Sequence, residues 1–163
     1  MLYEYCSNYK AYRCPVSTEI KGLRTYCITC QWWPGTNISP PDLVLKKLTS
    51  ARNPADRSVS KDNVGTDHDA IYNVYYDEEL WRNIPNWRHS NGTVLSFADG
   101  HAEHWKWKNI DLTIEVAIAS YGYALANPDV ASRMIDQGDQ SGNVDIHRVQ
   151  KAVWGKLGYT PAP

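Results

Sequence analysis

"RHSNGTVLSFADGHAEHWKW", Arg88 to Trp107, carries the strongest local structural signal in the chain. Asp99 and Gly100 separate two runs, "TVLSFA" and "HAEHWKW". Asp-Gly between alternating runs is a strong local hairpin signal, because glycine takes positive φ without steric cost and aspartate tolerates it. Period-two alternation puts Leu95 and Phe97 on one face of the first strand, and His101, Glu103, Trp105 and Trp107 on one face of the second. His104 then points the other way with Lys106, so His101 and His104 cannot chelate one ion from a regular strand.

Upstream, "SVSKDNVGTDHDA" (58–70) carries Asp62, Asp67, His68 and Asp69 and reads as an acidic loop. It leads into "IYNVYYD" (71–77), whose β-branched and aromatic content predicts a strand. "DLVLKKLTSARNP" (42–54) fits a short helix ending before Pro54, or a strand through "LVL". Residues 1–41 form an aromatic, cysteine-bearing loop region with room for a short helix at its start, closing at the Pro/Gly-punctuated "WWPGTNISPP".

Downstream the period changes. "LTIEVAIASYGYALA" is a helix, and "NPDVASRMI" begins another with Asn127 as cap and Pro128 in the first turn. "VDIHRVQKAVWG" places Ile146, Val149, Val153 and Trp154 on one stripe and stops at Gly155, an amphipathic helix with a glycine end. The intervening "DQGDQSGNVD" fails as a calcium loop: with Gly142 at the sharp turn, Gln137 falls at the first ligand position and Arg148 at the twelfth. The expected architecture is α+β in one domain over 1–163, with a small antiparallel sheet at 70–108 and a helical tail at 110–158.

With 42% hydrophobic and 21% charged residues the composition is that of a globular domain. A formal net charge of -1 supplies no field to hold a nucleic acid or an anionic membrane surface. No apolar run reaches the roughly 20 residues that span a bilayer, and "MLYEYCSNYK" has no secretion-signal character. No P-loop, Rossmann fingerprint, G-x-S-x-G elbow or H-E-x-x-H helix occurs.

Cys6, Cys14, Cys27 and Cys30 crowd the first thirty residues. An even number in a loop-rich stretch suits two disulfides in an oxidising compartment. A four-thiolate zinc site is the rival, although only Cys27 and Cys30 have the C-x2-C spacing of a zinc knuckle; four thiols are the third option.

His89, nine residues, then Asp99 and Gly100 spell H-x(9)-D-G. This resembles the prepilin-type processing-associated H-x(9)-DG domains, pseudopilin-like proteins of type II secretion-like systems. "YRCP", "ARNPADRSV", "YYDEELW" and the tail "VDIHRVQKAVWGKLGYTP" are similar to further segments of that family. Its basic leader and long apolar prepilin helix have no counterpart here, so the chain reads as the globular half alone, with a membrane-anchoring helix expected only in a longer protein. The resemblance implies a pilin-like head outside the cytoplasm, neighbouring pseudopilin subunits or secretion-system proteins as partners, and a structural calcium beside the sheet. Asp99, Asp62, Asp67 and Asp69 are the expected calcium ligands, with zinc as the alternative ion.

Three functions follow. The first is a structural and interaction domain stabilised by calcium and disulfides. The second is a metal-dependent hydrolase of small esters or lactones, with Asp77, His89, Asp99 and His101 activating water. The third is a glycan-binding module using Trp32, Trp33, Trp81 or Trp87 as stacking platforms, leaving Trp105, Trp107 and Trp154 to the core or an interface.

Overall fold

A computed structural model describes residues 7–17, 25–33, 40–64, 71–126 and 137–161. Five strands, β1 (Tyr26–Thr29), β2 (Ser58–Asp62), β3 (Ile71–Tyr72), β4 (Gly92–Phe97) and β5 (Ala102–Lys106), form one sheet in the order β3-β1-β2-β4-β5. Among the described residues two α-helices follow, α1 (Val116–Ala126) and α2 (Val144–Trp154). The α+β class is as expected. The sheet, however, is mixed: β3 runs parallel to β1, and the other pairings are antiparallel.

The β4–β5 hairpin and α2 form where the sequence places them. In the hairpin, Thr93 pairs with Trp105 and Leu95 with Glu103. Gly100 turns it at φ 97, a value glycine reaches freely. Leu95 and Phe97 are buried, and the Phe97 ring stacks on His101 and contacts Trp105, so those rings share one face. In α2, Asn143 accepts from Asp145 N at the start and Gly155 closes the end at φ 79. Ile146, Val149, Val153 and Trp154 are all at most 1% exposed. α1 is entered through a π-helical turn (Ile110–Glu115) that Asn109 caps by accepting from Leu112 N.

Elsewhere the structure departs from expectation. The polar stretch 58–70, expected as a loop, contains β2, the middle strand. β1 lies inside the region read as cysteine-bearing loop; of the expected short helix at its start, the described residues contain a 3-10 turn (Tyr9–Tyr12). Residues 42–54 form neither helix nor strand but 3-10 turns, at Pro41–Leu43, Leu48–Ser50 and Pro54–Asp56. The predicted strand 71–77 ends after Tyr72; beyond it Asn73 N donates to Asn83 Oδ1, and Val74 makes only an isolated bridge to Trp81. The helix expected at 127–135 lies outside the described residues.

The core joins the sheet to both helices through Tyr72, Val74, Trp81, Trp107, Ile114, Ala117, Val149 and Trp154. Trp81, Trp107 and Trp154 each remove on the order of 200 Å2 from water, roughly 5 kcal/mol of transfer free energy before conformational entropy is subtracted. Trp81 in the core rules it out as a glycan platform; Trp33, half exposed at 50%, is the most open of those named. Among the described residues no helix is long and apolar enough to cross a membrane.

Candidate metal centre

The H-x(9)-D-G motif brackets the hairpin, and its two ends have different surroundings. At the inner end, three chain segments converge. Cys14 is tied down by its own N–H donating to Thr25 Oγ1 at 2.7 Å, and Thr25 N donates to Tyr12 O. Asp62 ends β2, paired with Tyr26. His89 enters from a loop in which Arg88 N donates to Asn86 Oδ1, and Ser90 and Asn91 both take left-handed backbone, φ 52 and 60.

Their functional atoms meet. His89 Nε2 lies 2.7 Å from Asp62 Oδ2 and 3.6 Å from Cys14 Sγ, and the three donor atoms all fall within 4.8 Å of one another. Asp62 is further held by Asn86 Nδ2 and by Arg88 Nη2, the latter 3.3 Å from each carboxylate oxygen. The Asp62 side chain is 0% exposed and that of His89 is 23% exposed, so His89 is the side open to solvent. At the rim, burial and then the nearness of Cys14 and Asp62 hold the Tyr26 phenol above its ordinary value.

A glycine is required here. Gly92 sits where an added Cβ would strike the Trp105 carbonyl, and the His104 ring passes over it to bond His89 O at 2.6 Å. That bond fixes the backbone carrying the His89 ring. His104 therefore positions His89 from the opposite face to His101.

Cys14, Asp62 and His89 could hold a metal ion. One thiol sulfur, one imidazole nitrogen and one carboxylate oxygen are a transition-metal donor set, whereas calcium takes oxygen alone. In a tetrahedral zinc-class site, bonds of about 2.0–2.3 Å set neighbouring donors roughly 3.3–3.8 Å apart. The Cys14–His89 separation already fits, and the His89–Asp62 hydrogen bond would have to open by about half an ångström.

The structure distributes the other expected ligands differently. Asp99 is at the exposed hairpin tip, where its Oδ1 accepts from the His101 N–H at 3.2 Å and meets the His101 ring. Asp62 is at the other end of β4, its carbonyl accepting from Thr93 Oγ1. Asp77 is exposed in a bend beyond β3 and belongs to no cluster of metal-ligating groups among the described residues. Asp67 and Asp69 lie outside the described residues. Of the four residues expected in a hydrolytic site, only His89 joins the cluster.

The two-disulfide expectation is not met. Cys14, Cys27 and Cys30 are thiols, and Cys6 is outside the described residues. Each thiol points into its own setting: Cys14 to His89, Cys27 to Asn63 Nδ2 and Thr25 O, Cys30 to Val74 O. Reading the cysteines as one set passed over Cys14 as a separate metal-ligand candidate, and nothing in the sequence marks Asn86 or Arg88 as neighbours of Asp62.

No family model, no curated protein and no solved structure matches the chain.

Proposed function

We propose that the chain is a structural and interaction domain of the pseudopilin-like kind, displayed outside the cytoplasm, with Cys14, Asp62 and His89 as a transition-metal clip. The observation that carries this reading is that one nitrogen, His89 Nε2, faces both Cys14 Sγ and Asp62 Oδ2. A catalytic thiol needs its histidine to face sulfur with one nitrogen and the orienting carboxylate with the other. Convergence on a single nitrogen is instead what a shared ion, or a shared proton, requires. Bound there, a zinc-class ion would cross-link the N-terminal segment, the central strand and the hairpin. The extracytoplasmic placement rests on the H-x(9)-D-G resemblance alone, since three of the cysteines are thiols.

A metal-dependent hydrolase is the second reading, favoured by the 23% exposure of His89, which leaves a side from which water could complete the coordination. Its residues would be Cys14, Asp62 and His89 rather than Asp77, Asp99 and His101.

Elemental analysis of protein purified without added metal, an ester and lactone turnover assay on the same sample, and fractionation of producing cells test both. The first reading expects about one transition-metal ion per chain, its loss in Cys14→Ser, no turnover, and recovery with envelope or secretion-filament fractions. No bound metal even after zinc addition removes the clip. Purely cytosolic protein removes the pseudopilin placement. Turnover lost in Asp62→Asn, with the fold intact, hands the site to the hydrolase.

A further inference from the structure

A groove lined by none of the metal-ligating residues lies elsewhere in the fold. The 3-10 turns of residues 41–57, the hairpin face bearing Phe97, Glu103 and Trp105, and the C-terminal end of α2 enclose an open groove of about 1120 Å3. That is slightly larger than an ordinary small-ligand pocket.

Arg57 is the unusual wall of this groove. It is 8% exposed, its Nη2 donates to Val153 O at 2.7 Å, and its Nε is buried with no hydrogen-bond partner. No carboxylate among the described residues lies within ion-pair distance of it. One bond to the carbonyl end of α2 is favourable to a cation, but it leaves most of the guanidinium fork unused. Burying an arginine without an anion is costly, and an orphaned N–H adds to that cost. Gly155, at φ 79, makes room for the group, since a Cβ there would collide with Nη1. Nearby Asn53 takes left-handed backbone at φ 51, so the wall carries strain as well as an unmet donor.

The rest of the lining has a matching character. Arg52, Arg148, Lys151 and Lys156 join Arg57, against three carboxylates. One of these, Glu103, is already engaged by the Trp105 indole and by His101. The Arg148 guanidinium carbon lies over the Trp105 ring, 4.3 Å from its centroid. Trp105, Leu43 and Leu157 add apolar surface to the same lining. Arginine and tryptophan on an open groove are the residue types that dominate protein–protein binding energy.

We infer that this groove binds an acidic peptide segment of a partner protein, a glutamate or aspartate entering beside Arg57 while a neighbouring apolar side chain covers Trp105. A planar carboxylate meets an arginine fork through paired hydrogen bonds, which a lysine cannot copy. This inference rests on the interaction-domain reading and names the chemistry of the partner.

The test is calorimetric titration of the full chain, its metal content already measured, with an acetylated, amidated heptapeptide having one central glutamate flanked by leucines. The same peptide carrying glutamine, a polyuronate oligosaccharide and inorganic phosphate are run in parallel. The glutamate peptide is expected to bind at least tenfold more tightly than the glutamine peptide and than either other anion. Arg57→Lys should erase that preference, and Arg148→Ala, at a half-buried position whose loss leaves the core intact, should weaken binding severalfold. Equal affinity for the two peptides, tighter binding of the polyuronate or of phosphate, or indifference to both substitutions in folded protein overturns the inference. Because the titration does not read metal, loss of groove binding in metal-bearing protein defeats the groove alone. Retained peptide binding in metal-free protein supports the groove and leaves only the clip at fault.

Discussion

The two ends of the β4–β5 hairpin carry the same chemistry in two environments. His89 and Asp62 meet at 2.7 Å at the inner end; His101 and Asp99 meet at 2.5 Å at the tip. At the tip both side chains are 36% exposed, and the carboxylate answers mainly to one neighbouring ring. At the inner end the carboxylate is fully enclosed, ringed by Asn86, Arg88 and His89, and a thiol approaches the same imidazole nitrogen. Residue type and spacing along a motif therefore do not tell which aspartate matters. Desolvation does, since a buried carboxylate must be fully partnered and then fixes its partners in turn.

Removing each carboxylate in turn should produce the largest difference between the two ends. Asp62→Ala strands a buried guanidinium, an imidazole and an amide, and should cost about 3–5 kcal/mol in chemical denaturation. Asp99→Ala, at an exposed tip, should leave the transition nearly where it was. Comparable losses for the two variants would mean that the inner network is no more structural than the tip.

Lys61, next to Asp62, sharpens the point with a charge instead of a pair. It is 1% exposed, its Nζ sits 3.9 Å from the Tyr72 ring centroid, and its backbone is in the middle strand. Burial pulls its pKa down from 10.5 to about 7, the nearby Asp62 opposing that only in part. With the folded value depressed, the unfolded chain binds the extra proton between about pH 7 and 10.5, so this residue's contribution to stability rises with pH across that window. Below it the full cost of a buried ammonium applies. Lys61→Met should therefore gain most on the parent at pH 7 and below, with an advantage shrinking by on the order of 3–4 kcal/mol toward pH 10.5. A difference that does not change with pH would place the ammonium in water.

Metal linkage gives the next effect in size. Zinc at a hundredfold excess over its dissociation constant should stabilise the fold by about 2.7 kcal/mol, read as a rise in Tm. Cys14→Ser and His89→Ala should abolish the rise, and Asp99→Ala and His101→Ala should keep it. Acid should suppress it, because the thiol and imidazole must lose their protons to bind. A zinc response surviving Cys14→Ser but lost in His101→Ala would move the site to the hairpin tip.

The hairpin and α2 were legible because their signals are local: Asp99-Gly100 between alternating runs, and a 3.6-residue stripe between Asn143 and Gly155. β2 was not, because its polar residues are answered from far along the chain. Ser58 O accepts from Thr29, Gln31 and Trp32, Ser60 bonds Ser96, and Lys61 lies on Tyr72. Hydropathy sees "SVSKD" as surface, while the fold uses it as the centre of the sheet. The candidate site was half legible. Asp62 and His89 stood out by type, but Cys14 meets His89 across 75 residues, and only tertiary structure brings them together.

The smallest effect concerns the tip and tests whether exposure alone separates the two pairs. The hydrogen bond to Asp99 raises the His101 pKa, and the same bond lowers that of Asp99. A raised histidine stabilises the fold below its unfolded pKa and loses that contribution as pH climbs through the folded value. A lowered carboxylate stabilises above its unfolded pKa and loses it as pH falls through the folded value. The tip pair thus contributes only between those limits, in weakly acidic solution, and solvent keeps the contribution small. Ring-proton resonances of His101 followed against pH should show the raised midpoint, and Asp99→Asn should return it toward the ordinary histidine value with little change in Tm. If the midpoint were already ordinary in the parent protein, the tip contact would be a turn with no electrostatic coupling. The contrast with Asp62 would then be one of pairing as well as of burial.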